Sequence, residues 1–375
     1  MKILSLFGTR PEAIKMAPII KLLERDRFFT SIVCITAQHR QMLDQVLDLF
    51  NLTPDYDLNI MKKDQDLFDI TSSVLLGVRD VLEKECPDMI LVHGDTTTCF
   101  AGTLAGFYSH IPVCHIEAGL RTGNLSAPFP EEANRLLTTR LAQLHLAPTE
   151  EARKNLLQEN VTPEAISVTG NSVIDALLWV REKVSKQQEW GEVFGSAKEI
   201  IQTRCPFILI TGHRRENFGT GFLNICSAIS ILAMRHPDIH FVYPVHLNPK
   251  VQEPVHSLLG NFDNIHLIKP LDYAPFVYAM DRCKLILTDS GGIQEEAPSL
   301  GKEVLVMRDT TERPEAVAAG TVTLVGTDTN KIITETERLL AAPDNQSSGI
   351  TKKNPYGDGH ASEKVIKALH HFFDH

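Results

Sequence analysis

"CKLILTDSGGIQEEAPSLG", residues 283–301, passes from an apolar run through two glycines into paired carboxylates. Leu285–Thr288 reads as a short buried strand, the residues after it as a tight turn, and a helix is expected to begin near Gly292. A strand that feeds a helix through a glycine turn is the repeating unit of a parallel sheet covered by helices. Ser290, Gly291 and Gly292 leave backbone N–H groups bare at the helix start, where the helix dipole favours an anion, so a phosphate or diphosphate fits this loop. Glu296 lies one turn further in, where a carboxylate can accept hydrogen bonds from a ribose diol. The plainer reading makes the glycines a turn and Glu295 and Glu296 dipole caps.

The same alternation extends in both directions. Strands are expected at Ile3–Phe7, Ile32–Thr36, Met89–His93, Val113–Ile116, Leu144–Ala147 and Ile166–Val168, with helices such as Leu67–Glu85 and Glu131–Leu141 between them. The charged, strand-poor stretch "REKVSKQQEWGEVFGSAKEIIQTR" follows, and strands resume at Phe207–Ile210, Phe241–Pro244, Ile265–Ile268, Leu285–Thr288, Val304–Met307 and Val322–Val325. We therefore expect an N-terminal domain over residues 1–172, a connecting segment over 173–199 and a nucleotide-binding domain over 200–359. The tail turns at Gly357–Gly359 and then shows a helical apolar side of Val365, Ile366, Leu369, Phe372 and Phe373, so residues 360–375 are expected to pack back onto one of the domains. The fold class is α/β, two doubly wound domains with a ligand cleft between them.

Length and composition agree with this. A chain of 375 residues, 43% hydrophobic and 22% charged, is longer than one core usually fills. Its net charge of -10 lacks the basic footprint that nucleic acid or anionic lipid selects. Seven scattered cysteines without a C-x-x-C pair read as reduced, buried thiols. The N-terminal apolar run is too short for a signal sequence and no 18-residue apolar segment occurs, so a cytoplasmic protein that neither crosses nor binds a membrane is expected.

Candidate chemistry gathers after the strands. In "FGTRPEAIKMAP" a strand ends at Phe7, Pro11 suits a first helical turn, and Arg10 and Lys15 make a second anion clamp. Asp95 in "HGDTTT", Glu117 in "EAGLRTG" and Glu131 in "PEEANR" are carboxylates near strand ends or helix starts, which suit acid/base work on opposite faces of one substrate. Each alone is equally readable as a helix cap. "TGHRREN" adds His213, Arg214 and Arg215, and "RDTTERPEA" adds Arg313, cations suited to a departing diphosphate. His93 and His115 stand two residues before acidic groups, but without H-E-x-x-H or a Cys/His cluster no metal is expected. Neither G-x-G-x-x-G after a strand nor a P-loop is present, which argues against a nicotinamide cofactor or ATP hydrolysis.

Several blocks together, "FGTRPEAIK", "TAQHRQMLDQ", "HGDTTT", "EAGLRTG", "PEEANR", "TGHRREN", "YPVHLNP" and "DSGGIQEEAPSLGKEVLVMRDTTERPEA", resemble the bacterial non-hydrolysing UDP-N-acetylglucosamine 2-epimerases, in order from residue 2 to about 360. The resemblance implies a GT-B architecture, two Rossmann-like domains with a C-terminal helix returning to the first. It also implies cofactor-free interconversion of UDP-GlcNAc and UDP-ManNAc by loss and re-addition of UDP, feeding polysaccharide synthesis in a homodimer. By similarity Asp95, Glu117, Glu131 and His213 are catalytic. Arg10, Lys15, Phe276, Ser290, Gly291, Gly292, Glu296 and Arg313 match nucleotide-sugar contacts, Phe276 on the uracil side. Gln38, Gln41, Arg214, Arg215 and His246 match a second pocket in which UDP-GlcNAc acts as an activator. Leu271 stands where some relatives have Gln, and Asp64 where some have Arg. A hydrolysing epimerase and a GT-B glycosyltransferase are the competing expectations.

Overall fold

Burial on both faces gives a parallel strand a continuous apolar run in place of an alternating one, and Met89–His93 is buried at every position. The computed structural model describes residues 1–37, 40–62, 64–187, 190–203, 205–342 and 354–374, without the side chains of Gln41 and Arg215. The chain divides into two compact units, Met1–Ala176 with Tyr356–His375, and Leu177–Pro355.

The first unit holds seven parallel strands: β1 (Lys2–Phe7), β2 (Thr30–Ile35), β3 (Tyr56–Asp57), β4 (Met89–His93), β5 (Val113–Ile116), β6 (Leu144–Ala147) and β7 (Ile166–Val168). Their order is β3-β2-β1-β4-β5-β6-β7. The second unit holds β8 (Phe207–Thr211), β9 (His240–Pro244), β10 (Ile265–Ile268), β11 (Leu285–Thr288), β12 (Glu303–Val306) and β13 (Val322–Leu324), in the order β10-β9-β8-β11-β12-β13. Each sheet reverses its strand order once, at β1/β4 and at β8/β11. Loops leaving the carboxyl ends of such a strand pair diverge and open a crevice, the usual ligand position of doubly wound sheets. One strand escaped the sequence reading. β3 is two residues long, paired only through Cys34 with Tyr56 and Ile35 with Asp57, and so short an edge leaves no pattern.

Both sheets are covered by apolar helix faces. Val74, Val78 and Leu82, one turn apart on the helix Leu67–Glu85, meet Leu4, Leu6, Ile90 and Val92 of the first sheet. Phe222, Ile225, Ile229 and Leu232 meet Ile208, Ile210, Phe241 and Leu285 of the second. Within residues 173–199, Leu177 onward lies in the second unit, where Trp190 and Phe194 are buried with ring centroids 4.6 and 5.8 Å from Tyr278. That aromatic contact makes a packed element of a stretch whose charge reads as a connector.

The tail re-enters the first unit. Asp175 accepts the N–H groups of Ala361 (3.1 Å) and Ser362 (2.7 Å), satisfying donors at the start of the helix Ala361–Phe373. That helix buries Val365 and Leu369 and lies against the helix Arg10–Leu23. His370 Nε2 stands 2.8 Å from Asp26 Oδ2, a further tertiary contact of this helix. Among the described residues no helix is long and apolar enough to cross a membrane.

Candidate active site

In the first unit, the loop after β1 is fixed by a buried carboxylate. Glu12 Oε2 accepts from Gly8 N (3.1 Å), Thr9 N (2.8 Å) and Thr9 Oγ1 (2.8 Å), while Oε1 accepts from Thr96 Oγ1 (2.6 Å) in the loop after β4. Burial pushes the Glu12 carboxyl up, and these hydrogen bonds oppose it. Gly8 has no room for a side chain, since a Cβ there would lie 2.0 Å from Thr36 Oγ1. Arg10 and Lys15 follow on the helix Arg10–Leu23, both half-buried.

Lys15 Nζ stands 2.5 Å from Glu117 Oε2, and Asn171 Nδ2 donates to the same oxygen at 2.7 Å. Glu117 follows β5 directly and adopts φ +65°, an unusual conformation for a residue with a side chain and one that recurs where function constrains the backbone. Asp95, two residues past β4, receives Arg135 Nη2 on Oδ2 at 2.5 Å and Asn134 Nδ2 on its carbonyl at 2.9 Å. Burial raises the proton affinity of Asp95; Arg135 and Lys15 oppose that, and Glu117 and Glu131 add to it. Asp95, Glu117, Glu131 and Lys15 thus share one electrostatic neighbourhood. Glu131 opens the helix Glu131–Leu141, and its Oε2 is buried with no hydrogen-bond partner among the described residues. An open acceptor beside two other carboxylates suits proton transfer.

His93 and His115 are interior residues. Burial lowers their pKa to about 4 and about 3, which keeps both neutral, and His115 Nε2 meets the Gly94 carbonyl at 2.7 Å. Among the described residues no group of three or more His, Cys, Asp or Glu is placed to hold a metal.

In the second unit the loop after β8 is tied to the end of β11. Buried Asp289 accepts the backbone N–H groups of His213 and Arg214, each at 2.8 Å, on Oδ2. The His213 ring stacks on His246, with centroids 5.2 Å apart and planes 9° from parallel. Burial lowers the His213 pKa, Asp289 opposes, and His246 and Arg214 lower it further. His213, Arg214, His246, Asn248 and Ser290 line a pocket of about 360 Å³. The helix after Ser290 starts at Gly291, one residue earlier than expected. Arg313 lies over it: a Cβ on Gly291 would fall 2.6 Å from Arg313 Nη1, and Arg313 Nε meets Glu295 Oε1 at 2.7 Å. Glu296 is buried and accepts from Tyr273 Oη at 2.6 Å, on the helix that also carries half-buried Phe276. Gln38 and the side chains of Gln41 and Arg215 lie outside the described residues.

Residues 21–370 match the sequence profile of the UDP-N-acetylglucosamine 2-epimerases. The chain belongs to that family. The UDP-N-acetylglucosamine 2-epimerase of Yersinia pestis is 58% identical over 369 residues, and that of Escherichia coli K12 is 57% identical over 369, in both cases covering 98% of each chain. The crystal structure of the Neisseria meningitidis UDP-GlcNAc 2-epimerase bound to UDP-GlcNAc superposes with a TM-score of 0.89 at 55% identity, covering 99% of this chain and all of that one. The two Rossmann-like units and the returning helix have the GT-B type of architecture that the epimerase family resemblance implies.

Four groups that shape the strand-end loops escaped the sequence reading: Glu12, Arg135 and Asn171 in the first unit and Asp289 in the second. Glu12 had a signal, because Thr9-x-x-Glu12 before an apolar run is a capping box. Asp289 closes a strand as Asp95 nearly does. Nothing local marks Arg135 or Asn171, whose partners lie 40 and 54 positions away.

Proposed function

We propose that the protein interconverts UDP-GlcNAc and UDP-ManNAc by inversion at C2 without hydrolysis or a redox cofactor. The C2 hydrogen sits on the acetamido-bearing carbon with no carbonyl next to it, so simple deprotonation gives no stabilised carbanion. Elimination avoids that problem. A carboxylate takes the C2 proton, the C2–H electron pair becomes the C1=C2 bond of 2-acetamidoglucal, and the C1–O pair departs with UDP. Re-addition returns a proton to C2 from the opposite face while a UDP oxygen re-forms the bond to C1. Acid/base groups on two faces and a strong diphosphate holder are required.

The observation that carries this reading is the shared electrostatic neighbourhood of Asp95, Glu117, Glu131 and Lys15 at the carboxyl ends of β4 and β5. Asp95, Glu117 and Glu131 move the protons. His213 stands beside the diphosphate, which Arg10, Lys15, Arg313 and the N–H groups of Ser290, Gly291 and Gly292 hold. Glu296 takes the ribose and Phe276 lies on the uracil side. Arg214 and His246, which line the pocket beside His213, also support a second UDP-GlcNAc acting as an activator, with Gln38, Gln41 and Arg215 as further contacts. The working form is a homodimer in the cytoplasm, and its ManNAc supplies surface polysaccharide.

Incubation with UDP-GlcNAc in deuterium oxide, followed by proton and phosphorus NMR, tests the reading. Deuterium enters C2 with UDP still attached if the protein epimerises without hydrolysis. Free UDP that accumulates instead marks hydrolysis or transfer, and absence of C2 exchange removes epimerisation altogether.

A further inference from the structure

The first turn of the helix Glu131–Leu141 carries more than Glu131. Arg135, only 9% exposed, reaches Asp95 Oδ2 with Nη2 at 2.5 Å and Glu132 Oε2 with Nη1 at 3.3 Å. Glu132 is fully buried, and its Oε1 accepts the backbone N–H groups of Thr122 (3.0 Å) and Gly123 (2.9 Å). Asn134, in the same turn, holds the Asp95 carbonyl. One guanidinium therefore links the loop after β4 to the loop after β5, through a carboxylate that is committed to backbone donors.

We propose that Arg135 is a positioning residue for Asp95: its guanidinium, braced by Glu132, sets both the orientation and the charge state of that carboxylate. The proposal rests on the reading that Asp95 exchanges a proton with the nucleotide sugar. Arginine suits the task because it stays charged when buried and its planar fork fixes the plane of the carboxylate it binds. The groups facing Asp95 are Arg135 and Glu131 from this helix, Glu117 after β5, and Lys15 from the helix Arg10–Leu23. Without Arg135, Lys15 is the remaining cation in that set, against two carboxylates and burial, so the proton affinity of Asp95 rises. That direction is the same whether Asp95 acts as acid or as base.

The test compares Arg135→Gln and Arg135→Lys with wild type, measuring kcat and KM for UDP-GlcNAc from pH 5 to 10, with folding checked by circular dichroism and urea unfolding. Asp95→Asn identifies the limb of the kcat profile that Asp95 governs. In Arg135→Gln we expect kcat to fall at least about 10-fold, with KM changed less than about threefold. The Asp95 limb moves to higher pH by about one unit or more. Arg135→Lys keeps the charge and loses the fork, so its limb stays near the wild-type position while kcat remains reduced; should the glutamine variant not fold, this pattern alone decides. A folded Arg135→Gln variant whose pH profile superimposes on wild type overturns the proposal, as does a lysine variant with wild-type kcat. If Asp95→Asn itself exchanges deuterium at C2 as fast as wild type, the failure lies with the role given to Asp95, not with Arg135.

Discussion

Glu117 is held from two sides at one oxygen, by a lysine and by an amide, and the amide is the informative partner. Asn171→Asp keeps the shape but puts a second negative charge beside Glu117, which raises the proton affinity of both groups. We expect kcat to fall at least about 10-fold and its pH profile to move alkaline, measured by C2 deuterium exchange, because a misprotonated acid/base group forfeits most of its catalytic contribution. Glu117→Gln should abolish exchange while leaving UDP binding by calorimetry intact; surviving exchange would remove Glu117 from the chemistry. Glu12 is a different case. Its carboxylate accepts from four donors in two loops, and Glu12→Gln replaces one acceptor oxygen with a donor facing other donors. A loss of about 1–3 kcal/mol in urea unfolding follows from the unsatisfied groups left behind.

At the scale of elements, the βα turn at Gly291 works by close approach. The short helix starts where Arg313 crosses it, and Arg313 is itself held by Glu295. A methyl group at residue 291 meets the guanidinium first, 2.6 Å from Nη1, and displaces it. Gly291→Ala is therefore expected to raise KM for UDP-GlcNAc about 10-fold or more, with the melting temperature lowered by only a few degrees, since a lost charged contact to a diphosphate is worth a kcal/mol or two. The returning helix Ala361–Phe373 behaves oppositely. Its grip is apolar, with Leu369 fully buried. Leu369→Ala should cost roughly 2–5 kcal/mol in urea unfolding as a core cavity, while KM in the surviving folded enzyme stays unchanged.

The whole molecule carries a pH limit in its first sheet. His93, His115 and His145 sit on β4, β5 and β6, and burial lowers their pKa to about 4, 3 and 4. In the unfolded chain each titrates near 6.5. Between these values the unfolded state binds more protons, so stability present above pH 6.5 is lost as pH falls toward 4. The shift is worth about 2 kcal/mol per histidine at pH 5. The raised carboxyls of Glu12, Asp95 and Asp175 work in the opposite direction, so a single substitution is the cleaner measure. His115→Gln, which retains a donor for the Gly94 carbonyl, should shrink the loss of stability between pH 7 and pH 5 by roughly that amount in paired urea titrations. An unchanged pH slope would show that His115 takes no part.

What the sequence by itself determined was local. Strands buried on both faces have to be continuously apolar, so twelve of the thirteen among the described residues were visible, and the loops that follow them have to carry whatever polar chemistry a doubly wound sheet presents. Asp95, Glu117, His213 and Ser290 were singled out for that reason, each within two residues of a strand end. Tertiary structure alone decided which buried polar groups meet. Arg135 finds Asp95, Asn171 finds Glu117, and Asp289 captures the backbone of His213 and Arg214 from 76 and 75 residues away, because strand order brings those loops side by side. It also recruited Trp190 and Phe194 into the second unit from a stretch that reads as charged linker. A hydrogen-bonding group carries no mark of its distant partner; only the packed sheet, by removing water from both, makes the pairing obligatory.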